Sequence, residues 1–172
     1  MSDKILKALM QLFAIIANAD RLTSQGREIV ESFLRQQLSS IHVQTYLKIF
    51  DEYLAFLQGK ADAGKVKKRV SVNSVKILRI CADINVELDQ KQKYIVLIRL
   101  LEFAYSSSDE ISEQEKEFLD TVADSFNISK EELNACCQIA TTSRSVKIPD
   151  SPFFLLINNE TQPGVSSNQT FA

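Results

Sequence analysis

The sequence holds no tryptophan, a single histidine (His42), and only four glycines and three prolines in 172 residues. With His42 alone, no Ser-His-Asp or Cys-His arrangement gains support. No cysteine or histidine spacing suits zinc, and no glycine-rich segment suits a phosphate loop. The three cysteines are Cys81, Cys136 and Cys137. An odd number with two adjacent does not form a disulfide framework, so reduced, packed thiols are expected. Charge of one sign is lacking too. A net charge of -2 gives no global pull toward nucleic acid or an anionic bilayer. No apolar run is long enough to span a membrane: the stretch from Ile5 to Ala17 is broken by Lys7 and Gln11. Asn18, Ala19, Asp20 and Arg21 follow it in place of a signal-peptide cleavage site. The Asn-x-Ser/Thr triplets at Asn127, Asn159 and Asn168 then read as chance matches. The chain is expected in the cytoplasm, including the cytoplasmic face of a membrane.

What remains is a composition for a packed core, 45% hydrophobic and 24% charged. Helical periodicity runs from residue 3 to about 141 and predicts an all-α, seven-helix bundle. The first helix, about 3–19, is apolar almost all round and belongs inside the bundle. Thr23 opens a second, to about Gln37, and Ser39 or Ser40 a third that includes Leu57. Residues 58–70 read as a polar connection. A fourth helix is expected at about 72–85, with Val75, Ile77, Leu78, Cys81 and Ile84 leading its apolar side. The fifth, about 89–107, is again apolar on most sides. Ser112 with Glu115, and Ser129 with Glu132, have capping-box spacing and start the sixth and seventh.

After Thr141 the character changes. All three prolines (Pro149, Pro152, Pro163) fall there, and Phe153 to Ile157 is a short apolar run that reads as a strand or extended segment. The expected division is a helical domain over 1–141, then an extended linker or the start of a following domain over 142–172. Such a tail suggests the front end of something longer.

A repeat stands out at an offset of 89 residues: Asp20-Arg21-Leu22-Thr23-Ser24-Gln25-Gly26-Arg27-Glu28-Ile29-Val30 against Asp109-Glu110-Ile111-Ser112-Glu113-Gln114-Glu115-Lys116-Glu117-Phe118-Leu119. Each copy follows one of the strongly apolar helices. Two pseudo-symmetric hairpins around two buried central helices are therefore expected.

These residues resemble the TerB-like tellurite-resistance family, which includes the N-terminal domain of a DnaJ-like co-chaperone. The family pattern of an apolar helix followed by Ala-Asp-Gly-x-[Ile/Leu]-[Ser/Thr]-x-x-Glu is approximated by Ala19-Asp20-Arg21-Leu22-Thr23 with Glu28, and by Ser108-Asp109-Glu110-Ile111-Ser112 with Glu115. Leu88 to Lys93 is similar to the start of the family's second half. The likeness covers roughly residues 3–140. It implies a helical bundle in stress-linked or membrane-associated assemblies, at times fused to ATP-binding cassette proteins, and an acidic metal-binding surface. Both turns lack the family's glycine, where a positive φ would strain another residue, which argues against that metal site.

The candidate chemistry is correspondingly thin. Asp20, Glu28, Asp109, Glu110 and Glu117 are candidates for a divalent cation, weighed against ordinary capping and helix-dipole roles. Glu113, Glu117, Asp120 and Asp124 are spaced to share one helix face. Residues 109–132 hold nine acids and two lysines, whereas residues 60–69 hold five bases and one acid. That polarity, with Lys65, Lys67, Lys68 and Arg69 as its basic pole, suits a charged partner or self-association. The expected function is a non-catalytic interaction or regulatory module, without cofactor or nucleic acid, acting on a protein or fused domain. The expected context is the N-terminal part of a larger membrane-associated ATPase or transporter. The alternative is a stand-alone divalent-cation-binding stress protein, and the oligomeric state is open.

Overall fold

A computed structural model describes the backbone of residues 1–19, 22–62 and 69–145, and the side chains of 1–19, 22–59 and 74–142. Among the described residues there are seven α-helices and no strand: α1 (Asp3–Ala19), α2 (Ser24–Gln37), α3 (Ser40–Asp62), α4 (Arg69–Glu87), α5 (Gln90–Tyr105), α6 (Glu113–Ser125) and α7 (Lys130–Ser145). The all-α expectation holds, and no described helix is long and apolar enough to cross a membrane. The prolines, the run from Phe153 to Ile157 and the proposed linker beyond 145 lie outside the described residues.

Local chemistry fixes most helix starts. Thr23 caps α2, its side chain accepting from the Gly26 amide. Asp89 with Gln92 and Ser112 with Glu115 form complete capping boxes at α5 and α6. Ser129 and Glu132 exchange the same pair of bonds at α7. The α6 helix ends in a Schellman turn. Asn127 takes φ 54°, and the Ile128 amide donates back to the Ala123 carbonyl at 2.9 Å. Amides from neighbouring helices cover the remaining carbonyls there: Asn85 Nδ2 donates to the Ser125 carbonyl (2.7 Å) and Gln90 Nε2 to that of Phe126 (3.0 Å).

Three helices outrun their expected limits. The α3 helix continues through Gly59 to Asp62, and α4 begins at Arg69, so both ends of the expected polar connection are helical. Gly59 has nothing near its Cα where a Cβ would sit. A glycine in an exposed helix costs about 1 kcal/mol relative to alanine, too little to stop a helix already anchored by Phe50, Leu54 and Leu57 in the core. The α7 helix likewise runs past Thr141 to Ser145, with the Thr141 and Thr142 hydroxyls bonded back to carbonyls of its previous turn.

The helices alternate in direction. Lys4 and Ser2 at the start of α1 meet Asp83 and Glu87 at the end of α4. Arg27 of α2 holds Asp51 of α3 through both guanidinium nitrogens, one bond measuring 2.9 Å. Tyr94 of α5 donates to Glu132 of α7 at 2.6 Å, with those two helices running parallel. One end of the bundle therefore collects the start of α1 and the end of α4. The opposite end collects the starts of α2, α4 and α6. The α1 helix is enclosed, with Ile5, Leu6, Leu9, Met10, Leu12, Phe13 and Ile16 all buried. Phe13 forms the hub, its ring 5.8 Å from that of Phe33 and 5.9 Å from that of Phe103. The α5 helix is the second hub, packed on α1, α2, α6 and α7, but less enclosed than its composition suggests: Ile95, Ile98 and Arg99 stay half-exposed.

Candidate functional site

From Thr23 and Ser112 onward the two repeat copies take the same local form. Thr23 and Ser112, 89 residues apart, are both helix N-caps, and Val30 and Leu119 are both buried behind them. The position three residues into each helix differs. It is Gly26 in the first, pressed against Phe103, and in the second the buried Glu115, whose carboxylate accepts from the Ser112 amide (2.9 Å) and hydroxyl (2.8 Å). The second copy's third-position acid is thus occupied in capping.

The cation candidates do not assemble. Glu28 is exposed on α2, Asp109 and Glu110 lie in the turn before α6, and Glu117 sits on the outer side of α6. Asp20 lies outside the described residues. Among those described, no three of the His, Cys, Asp and Glu side chains form a group suited to a metal ion. A hard cation needs several converging oxygens.

The acidic face is present as a surface. Glu113, Glu117, Asp120 and Asp124 line a shallow hollow of about 500 Å³ along α6, with Gln114, Lys116 and Thr121 between them. All seven lining residues belong to one helix, so it is an open side of α6 and not an enclosed pocket. None of its four acids forms an ion pair among the described residues. Lys65, Lys67 and Lys68 lie outside the described residues, and of Arg69 only the backbone, at the first position of α4, is described.

Groups with reactive potential have structural surroundings. His42 is exposed, its Nδ1 sharing a hydrogen bond with Ser39 Oγ at 2.9 Å in the first turn of α3. That pair spans a helix start, a local pattern typical of caps. Cys81 is fully buried, and burial pushes its thiol up to about 12. Burial also raises Cys136 and Cys137 on α7, which keeps both as thiols and away from the thiolate that reacts.

The feature that sequence reading missed is on α4. Val75 and Leu78, expected among the inward residues, are 65% and 52% exposed, and Val86 is 88% exposed. With the exposed Ala82 they form a stripe at spacings of three, four and four residues. At 100° per residue those positions fall within an arc of about 80°. The residues that hold α4 to the bundle, Ile77, Ile80, Cys81, Ile84 and Leu88, lie on roughly the opposite side. The signal was in the sequence as two interleaved apolar periods. A single period cannot say which of two apolar sides faces the core. On the flank of the stripe, Lys76 lies over the Phe56 ring at 5.8 Å, extending the surface onto α3.

Comparison of the chain with protein-family models, with curated proteins and with solved structures found no match.

Proposed function

We propose that this chain is a non-catalytic protein-interaction module that works through the outward face of α4. The observation that carries this reading is the stripe Val75, Leu78, Ala82 and Val86, apolar residues exposed along a helix whose anchoring side is already filled. Exposed apolar side chains scattered singly are ordinary, whereas an aligned set marks a contact surface. The thiols raised by burial, His42 held at a helix start and Glu115 committed to capping all support a scaffold in preference to a reaction centre. The TerB-like resemblance and the proline-bearing segment after Thr141 support a module attached to a larger, membrane-associated protein.

A photo-crosslinking side chain placed at position 78, and separately at position 117 on the acidic face of α6, tests this in the native cell. The reading expects a discrete adduct from position 78 and none from position 117. Adducts from 117 alone would move the contact to α6, where charge by itself would put it, and overturn the assignment to α4.

A further inference from the structure

The chemistry of the α4 face points to its partner. Along the flank of the stripe the charge changes sign once, from Arg79 to Asp83. Arg79 is exposed and forms no ion pair among the described residues. Asp83 keeps 47% of its side chain exposed while it holds Lys4. We propose that this face pairs with a second copy of itself, the two α4 helices antiparallel about a two-fold axis midway between Leu78 and Ala82. This inference rests on the reading of the stripe as a contact surface and names its occupant.

The geometry follows from symmetry. A two-fold pairing brings the same patch of each copy together, so residue i meets j and j meets i. In antiparallel register Val75 meets Val86 of the other copy, and Leu78 meets Ala82, whose small side chain lets the helices approach. The charged flanks of both copies then fall on the same side of the seam. Arg79 opposes Asp83 of the second copy, the pair occurring twice. In a parallel two-fold pairing the charged flanks of the two copies would lie on opposite sides of the seam and this pair would not form, which disfavours it. From Val75 to Val86 the stripe is about 17 Å long at 1.5 Å per residue. So short a seam belongs to the small, transient class of interfaces, with dissociation constants on the order of tens to hundreds of micromolar.

The test uses the whole 172-residue chain in sedimentation equilibrium, with two single variants, Arg79→Asp at an exposed residue and Asp83→Arg at a half-buried one. Thermal melts confirm that each folds. The wild type is expected to self-associate as its concentration rises to about 1 mM, and each variant, now bearing like charges across the seam, to weaken by at least about tenfold. Mixing the two variants restores opposite charges at every facing pair. An equimolar mixture is therefore expected to form heterodimers at wild-type strength. A wild type that stays monomeric to about 1 mM overturns the pairing, as does a mixture no stronger than its parts. If the monomer persists while position 78 still crosslinks to a different chain, the contact surface stands and only its occupant is wrong. If neither occurs, both readings fall.

Discussion

Gly26→Ala sets two effects of known sign against each other at the first turn of α2. Alanine in a helix is favoured over glycine by up to about 1 kcal/mol, part of it from a less free unfolded chain. Against that, a Cβ at Gly26 would sit 3.1 Å from Phe103 Cε2, 3.3 Å from Phe103 Cζ and 3.1 Å from Ser106 Oγ. Comfortable carbon contacts begin at about 3.5 Å, so something must yield by several tenths of an ångström. The Phe103 ring is 5% exposed and lies against Phe13 in the hub. Ser106 is tied to the Phe103 carbonyl by a 2.6 Å hydrogen bond. Neither neighbour has room to move, and overpacking a fixed site costs about 1–3 kcal/mol. The expected net effect is a loss of about 1 kcal/mol, read from the midpoint of urea unfolding at unchanged slope. In a Phe103→Leu background the aromatic edge is gone and the same substitution should become neutral or stabilising. A stabilising Gly26→Ala in the wild type, or an equal cost in both backgrounds, would refute the packing argument.

Removing the α6 cap by Ser112→Ala should cost more than Thr23→Ala at α2, about 2 against about 1 kcal/mol, because it also deprives the buried Glu115 of a partner; urea unfolding of the two variants checks the order. In acid, stability should fall as pH drops below the ordinary carboxylate values of 3.8 and 4.5, since Asp3 (held by Lys7 and Tyr46) and Glu87 (held by Ser2) both lie lower when folded. A depressed group stabilises above its unfolded value and loses that contribution as pH falls through the folded one, so Asp3→Asn should flatten the acid limb of a melting-temperature profile. In alkali the sign reverses for Tyr46, pushed up from 10.0 to about 12 by burial and by its bond to Asp3. Its contribution is complete below pH 10 and lost toward 12, and Tyr46→Phe should remove that share of the alkaline loss. Cys81 should resist a thiol reagent at pH 8 in the folded chain, with Cys136 and Cys137 reacting slowly, and all three should react at once in urea.

Much of the fold was legible because its signals are local. Ser112 with Glu115 and Ser129 with Glu132 specify helix starts through hydrogen bonds made within one turn, and both formed as spaced. The enclosed character of α1 followed from apolar residues on every side but the narrow line of Lys4, Lys7 and Gln11. What failed to show depends on neighbours. Whether Val75 and Leu78 face inward is decided by what packs on α4, namely α1 and α6, and Ile77, Ile80 and Ile84 win that place. The polar composition of residues 58–70 predicts a connection, yet a helix with core anchors on its preceding turns runs through Gly59 to Asp62. The carboxylates grouped by repeat and charge are spread over two helices and a turn, since sequence proximity says nothing of convergence. The acidic face of α6 was visible from spacing alone, because a helical period is all that such a face requires.

The most direct test of action through the α4 face separates function from stability in one variant. Leu78→Glu with Val86→Glu changes two residues that are 52% and 88% exposed, so the melting temperature should stay within a few degrees of wild type. With a photo-crosslinking side chain at position 82 of the α4 face in the native cell, the chain is predicted to give a discrete adduct, and the chain that also carries Leu78→Glu and Val86→Glu to give none. A folded double variant that still gives the same adduct would contradict the account.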